Sequence, residues 1–147
     1  MVNIKKILCP VDYSVCSSEA MKYAAHIAAE DEAKVYLMHV IDIRSFGHES
    51  PLDFEIPKPS PETIERIRKE LADDLVHEKD GKRVAVEAIV VVGKPIEEIL
   101  KVAKEKKIDL IVMGTHGRTG IPHVVIGSVA DNVVRKASCP VLTVRHS

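Results

Sequence analysis

The chain has no tryptophan, and aromatic residues make up only 3% of its 147 positions. That scarcity argues against a protein that stacks single-stranded nucleic acid on aromatic platforms. It also leaves Val, Ile, Leu and Ala to fill the core, within a hydrophobic content of 46%. Neither charge is in excess: 21 Lys and Arg face 22 Asp and Glu, a net charge of −1. No field for nucleic acid or an anionic membrane surface follows from such a balance. Apolar runs of transmembrane length are missing. The opening MVNIKKILCPVD lacks the long apolar stretch and small-residue cleavage pattern of a secretory signal. Cys9, Cys16 and Cys139 are an odd set without C-x-x-C spacing, and the seven histidines show no metal-ligand spacing. Neither a disulfide framework nor a zinc site is indicated. These absences lead to the expectation of a cytoplasmic, reducing setting, and the length fits one domain over residues 1–147.

What is present is an alternation of strand and helix signals. NIKKILC (3–9) ends in an apolar run that stops at Pro10, and Ser17 or Ser18 is a candidate cap for a helix to about Glu30. KVYLMHV (34–40) reads as a second strand. Ile64, Ile67, Leu71 and Leu75, three or four apart, predict a helix over 62–79 that Gly81 breaks. The continuous VAVEAIVVV (84–92) predicts a third strand buried on both faces. Pro95 opens a third helix, where its missing N–H does no harm. IDLIVM (108–113), VADNVVRKA (129–137) and PVLTVR (140–145) read as strand, helix and strand. Strands alternating with helices imply an α/β fold, a parallel sheet with helices on both faces. Residues 43–61 depart from this economy, with four prolines and no helical period. A connection of that length reads as disorder or a partner contact, with a lid over a ligand as the alternative.

Glycine is sparse and uneven: four of the seven lie between Gly114 and Gly127. Glycine costs backbone entropy in a folded segment, so a cluster needs a local reason. GTHGRTG follows the apolar IDLIVM directly, at the carboxyl end of a strand, where open α/β sheets bind ligands. Residues without Cβ let backbone N–H groups converge on an anion, and Gly127-Ser128 precede a helix whose free N–H groups favour phosphate. Ser128 can cap that helix or donate its hydroxyl to phosphate, while His116 and Arg118 add donors or charge. The plainer alternative is that the glycines only make turns. Two other phosphate motifs are missing. No G-x-x-x-x-G-K-[ST] occurs, and the first strand-to-helix turn, CPVDYSVCSS, has no glycine. A P-loop hydrolase and a dinucleotide dehydrogenase are both disfavoured.

Gly114-x-x-Gly117, nine residues, then Gly127-Ser128 matches the G-2x-G-9x-G-(S/T) pattern of the universal stress protein family, in its ATP-binding branch. KKILCPVDYSVCSSEA, LMHVID, DLIVMGTHGRTG and GSVADNVVRKASCPVLTVR resemble segments of the same family, so the resemblance spans the chain outside 43–61. It implies a flavodoxin-like, Rossmann-like open sheet of five parallel strands in the order 3-2-1-4-5, with the Asp12 loop brought opposite Gly114. It also implies that Pro10, Val11 and Asp12 lie at the nucleotide, with Asp12 on the ribose and the backbone at Val40 against adenine. Met113, Gly114, His116, Gly117, Arg118, Gly127, Ser128 and Val129 would line ribose and phosphates. ATP is the implied cofactor, with Mg as a counterion to its phosphates rather than in a dedicated protein site. A homodimer through the terminal strand, Val141 to Arg145, is implied as well, since an edge strand exposes unpaired N–H and C=O groups.

Catalysis asks for more than a nucleotide cradle. A phosphoryl-transfer site needs metal-holding carboxylates and a group that positions water, and Asp12 is the one acidic residue these readings bring near the site. The leading expectation is therefore a nucleotide-dependent binding module of stress-response type with no catalytic residues. A slow ATPase or adenylyl-transferring enzyme, and a nucleotide-free dimeric interaction module, stand as alternatives. His39 reads as a hydrogen-bonded structural residue, His123 as either a phosphate neighbour or a packing residue, and Cys16 as a structural or incidental thiol, exposed near the nucleotide with no basic neighbour to activate it.

Overall fold

The computed structural model describes residues 2–45, 58–75, 78–79, 81–116 and 126–146. Five strands form one parallel sheet: β1 (Lys6–Pro10), β2 (Lys34–Asp42), β3 (Ala85–Gly93), β4 (Leu110–Gly114) and β5 (Val141–Val144). Their order is β3-β2-β1-β4-β5, the 3-2-1-4-5 arrangement. Four helices cover it: α1 (Val15–Asp31), α2 (Pro61–Ala72), α3 (Pro95–Glu105) and α4 (Ser128–Lys136). Strand alternation sends neighbouring side chains to opposite faces. Ile7 and Cys9 of β1 pack with Ala20, Ala24 and Ala28 of α1 and Leu71 of α2. Leu8 points the other way, into a second cluster with Ile99 and Val102 of α3 and Ala130 and Val133 of α4. Alanines on α1 let that helix lie close to the sheet without bulky aromatics.

β1 and β4 are tied together at their amino ends. The Asp109 carboxylate accepts the amides of Lys5 and Lys6, each at 2.9 Å, and its own amide donates to the Lys6 carbonyl. The pairing Leu8 with Ile111, carried three residues on, sets Val11 level with Gly114. β2 and β3 stay paired as far as Asp42 and Gly93, whereas β1 pairs β2 only to Met38. The carboxyl end of the sheet is thus stepped, with a low floor at β1 and a taller wall at β2.

Several sequence expectations need correction. α1 is capped by Ser14, three residues before Ser17; the Ser14 hydroxyl accepts the Ser17 amide at 3.1 Å. Ser17 instead lies buried in the first turn. α2 ends at Ala72 rather than running to 79. A short antiparallel hairpin, Glu78–Lys79 with Lys82–Arg83, follows it. Gly81 turns that hairpin with φ +76°, a conformation only glycine adopts freely. β3 is half-buried, with only Ala88 and Gly93 fully covered. It lies at the sheet edge, so its unbroken apolar run does not mean burial on both faces. Of the proline-rich segment 43–61, Ile43–Ser45 form one 3-10 turn and Ser60 caps α2. Residues 46–57, on which the disorder and lid readings fall, lie outside the described residues.

Candidate functional site

A cleft of about 510 Å³ opens at the carboxyl ends of β1, β2 and β4, where the strand order reverses. This is the position at which open α/β sheets take ligands. Its floor is Pro10, Val11 and Asp12 from β1 and the loop after it, with Met113 and Gly114 from β4. One wall comes from Val40 and its neighbours on β2. The opposite wall is His116 with Gly127, Ser128 and Val129 at the start of α4. All ten of the described candidate residues therefore border one cavity. Gly117 and Arg118, together with His123, lie outside the described residues.

The β1 loop owes its shape to short-range bonds. The Ser14 amide donates to Asp12 Oδ1 at 2.9 Å, an Asx turn that orients the carboxylate. Tyr13, between them, has φ +64°, strained for a bulky side chain. Its ring lies 4.9 Å from that of His39. Burial, then the nearby carboxylates of Asp74 and Glu70, hold the Tyr13 phenol above its ordinary pKa. His39 Nδ1 lies 2.8 Å from the Val11 carbonyl. A carbonyl only accepts, so Nδ1 carries the proton, and His39 has the structural hydrogen bond expected of it.

The glycine segment is more differentiated than its spacing suggests. At Gly114 a Cβ would stand 2.6 Å from Cys16 Cβ, 2.8 Å from the Cys16 carbonyl carbon and 3.0 Å from the Ser17 amide. The first turn of α1 occupies the space a side chain would need. Cys16 is accordingly half-buried against the strand rather than fully open. The Thr115 amide donates to the Val144 carbonyl at 2.9 Å, so the edge strand consumes it and a ligand cannot. The Thr115 carbonyl accepts the Gly127 amide. Gly127, not Ser128, is the N-cap of α4, with ordinary extended geometry (φ −71°, ψ 161°) and no side-chain cap. Ser128 is the exposed first helical residue, which rules out the capping role considered for it. An uncapped helix start leaves its first amides without intrahelical partners, and the positive dipole end adds to their pull on an anion. Asp131 in that turn opposes this, but Arg135 pairs with it at 3.1 Å.

Sequence reasoning missed the far end of the cleft, which is lined by Ile41, Asp42, Arg44, Pro95 and Ile99. Asp42 ends β2, and Arg44 follows on the 3-10 turn. Arg44 Nε donates to both Asp42 oxygens, at 2.9 and 3.1 Å, and its backbone amide adds a bond at 3.0 Å. The guanidinium holds the Asp42 carboxyl below its ordinary pKa. A carboxylate at the last residue of an inner strand was the available signal for this site.

Comparison with known proteins places the chain. The family model described as the universal stress protein family matches residues 3–145. Universal stress protein MJ0531 of Methanocaldococcus jannaschii is 37% identical over 147 residues, covering 96% of this chain and 82% of that protein. MJ0577 of the same organism is 33% identical, covering 99% and 97%. The solved structure of MJ0577 superposes with a TM-score of 0.74 at 36% identity, covering 99% of each chain. A universal stress protein solved in complex with cAMP superposes with a TM-score of 0.68 at 28% identity, again covering 99% of each. With the motif, the sheet order and these matches in agreement, the chain belongs to the universal stress protein family.

Proposed function

We propose that this protein binds ATP in the stepped cleft and works as a nucleotide-dependent regulatory module in the stress response. The observation that carries the reading is one cavity joining an oriented carboxylate, Asp12, to the uncapped amino end of α4. A carboxylate accepts ribose hydroxyls, and amides at a helix start hold phosphate. Val40 and the apolar wall beyond it suit a base. The complete Gly114, Gly117, Gly127-Ser128 spacing and the cAMP complex of a relative support a nucleotide over a simple anion. Pro10, Val11, Met113, Gly114, His116, Gly117, Arg118 and Val129 complete the proposed set. Mg2+ would accompany the phosphates as counterion. Asp12 is the carboxylate on that side, and one carboxylate does not make a dedicated metal site.

The outer edge of β5 is the proposed contact for a second copy of the chain, since among the described residues β5 closes the sheet with β4 as its one strand neighbour. A nucleotide module of this kind would work in the cytoplasm. Calorimetric titration with Mg-ATP tests the reading. Saturable binding is expected, weakened about tenfold or more in Asp12→Ala and in Gly127→Val, changes that remove a charged acceptor and crowd the cleft. Equal binding by all three proteins, or none by the wild type, would overturn it. Turnover in the same samples tests the binding-module role: many events per second lost in Asp12→Ala would make the protein an ATPase instead.

A further inference from the structure

Both chain neighbours of Asp12 rest on one side chain of another strand. β1 pairs β2 as far as Pro10 with Met38, and one more bond follows, from the Val11 amide to the Met38 carbonyl at 2.7 Å. A parallel ladder carried one residue further would give the Val11 carbonyl to the Val40 amide, because each residue bonds the two that flank its partner. That carbonyl instead meets His39 Nδ1 at 2.8 Å. The imidazole ends the ladder without orphaning the carbonyl, and Asp12 is the next residue. Tyr13, on the other side of Asp12, sets its ring against the His39 ring, with centroids 4.9 Å apart and planes tilted by 58°. It keeps φ at +64°, a conformation that a bulky residue holds only where its surroundings determine it. His39 has a firm base for this. Side chains two apart on a strand share a face, so it lies on the side of Leu37, toward α1. Its own backbone stays paired with Val90 of β3.

We propose that His39 is a positioning residue of the cleft, whose Nδ1–H bond to the Val11 carbonyl turns the chain out of the sheet and presents the Asp12 carboxylate to the ribose hydroxyls of a nucleotide. The inference rests on the nucleotide reading above. Ser14 completes the frame, since its amide holds Asp12 Oδ1 at 2.9 Å and its hydroxyl reaches the His116 carbonyl at 3.4 Å. Asp12 is thus braced from β2 through His39 and from the end of β4 through Ser14. Without the imidazole the Val11 carbonyl has no outward partner, and the carboxylate loses its aim. The ring of His39 also borders the cleft, so direct contact with a ligand is the competing role. The two roles differ in what they require: a positioning residue matters only where Asp12 has a ribose hydroxyl to accept.

Titrations of the full chain with Mg-ATP and with the magnesium complex of 2′,3′-dideoxy-ATP test this, with thermal melting to confirm that each variant is folded. His39→Leu fills the space of the ring without supplying a donor. It should weaken ATP binding about tenfold, the scale of a lost hydrogen bond to a charged group, and binding of the dideoxy analogue by less than about threefold. On an Asp12→Ala background the same change should cost less than about threefold, because residues acting through one another are not additive. His39→Asn carries an amide N–H close to the place of Nδ1 and should bind ATP within about threefold of wild type. Equal weakening of both ligands by His39→Leu, or the whole loss repeated on Asp12→Ala, would show that His39 touches the ligand or merely supports the fold, and would overturn the proposal. So would His39→Asn as weak as His39→Leu, since the bond would then not be what positions Asp12. Wild-type ATP affinity in His39→Leu beside a weakened Asp12→Ala would sink the inference and leave the nucleotide site intact. Full affinity in Asp12→Ala, or no binding by the wild type, would remove the nucleotide reading and this one with it.

Discussion

Gly114 and Gly127 bound the same fourteen-residue segment and border the same cleft, yet they are glycines for different reasons. Gly114 is small because the protein's own backbone leaves no room: Cys16 and Ser17 of α1 press on the place of its Cβ. Gly127 has backbone angles that any residue adopts and forms a helix cap at which serine or aspartate is normally preferred. One glycine answers to packing within the chain. The other caps a helix whose start borders the cleft, where on the proposed reading a side chain would meet the ligand. A motif that reads as one signal along the sequence is thus a packing constraint at one end and, on the proposed reading, a binding constraint at the other.

The largest effect that would test this contrast is Gly114→Ala. The clash is with Cys16 Cβ and with backbone atoms of Cys16 and Ser17, none of which can swing aside without moving α1, so we expect a loss of about 1–3 kcal/mol on denaturant unfolding. Stability within a few tenths of wild type would show that α1 yields more readily than the geometry indicates. Next comes Ser14→Ala, which removes the cap of the helix that fills the Gly114 space. About 1 kcal/mol should be lost, and no loss would mean that the contact with Ser17 is not a working cap. Gly127→Ser should do the reverse of Gly114→Ala. Its melting temperature should match wild type or rise slightly, because serine is a good cap, while ATP affinity falls about tenfold as the side chain enters the cleft. Unchanged affinity would place the ligand elsewhere.

The smallest and most local effect concerns Cys9, fully buried under α1, whose thiol burial pushes up to about 12. The neutral thiol is the favoured form in the folded state. Its contribution to stability is therefore whole below the ordinary value of 9.0 and is lost as pH rises from there toward 12. At pH 8 Cys9 should resist a thiol-specific reagent for as long as the protein stays folded. The same probe sharpens the contrast between the glycines: Gly114→Ala, by lifting α1, should expose Cys9 sooner than Gly127→Ser does. Equal protection in both variants would indicate that α1 stays seated.

Much of this was legible in the residues. Apolar runs of strand length alternating with helices of period three to four specify a parallel α/β sheet, because each face must be buried and each connection must cross over it. The family pattern carried the strand order and ten of the residues that the structure gathers around one cleft. Illegible parts depend on where the chain returns. Ser17 was a plausible cap by type, but the Asx turn at Asp12 starts α1 earlier, at Ser14. The unbroken VAVEAIVVV run does not say that β3 lies at an edge, because hydrophobicity measures what can be buried rather than what covers it. Asp42 and Arg44 gave no sign of lying beside a site near residue 114, since only the taller β2 wall brings them there.

The sequence by itself determined the alternation of elements, the largely aliphatic core and the glycine-serine spacing, since periodicity, side-chain size and backbone freedom are properties of local chain. Only the tertiary structure decided which amides remain unpaired, why Gly114 has no side chain and what lines the far end of the cleft. Those answers depend on contacts between residues a hundred positions apart, such as Cys16 with Gly114, and a linear pattern carries no distance across the fold.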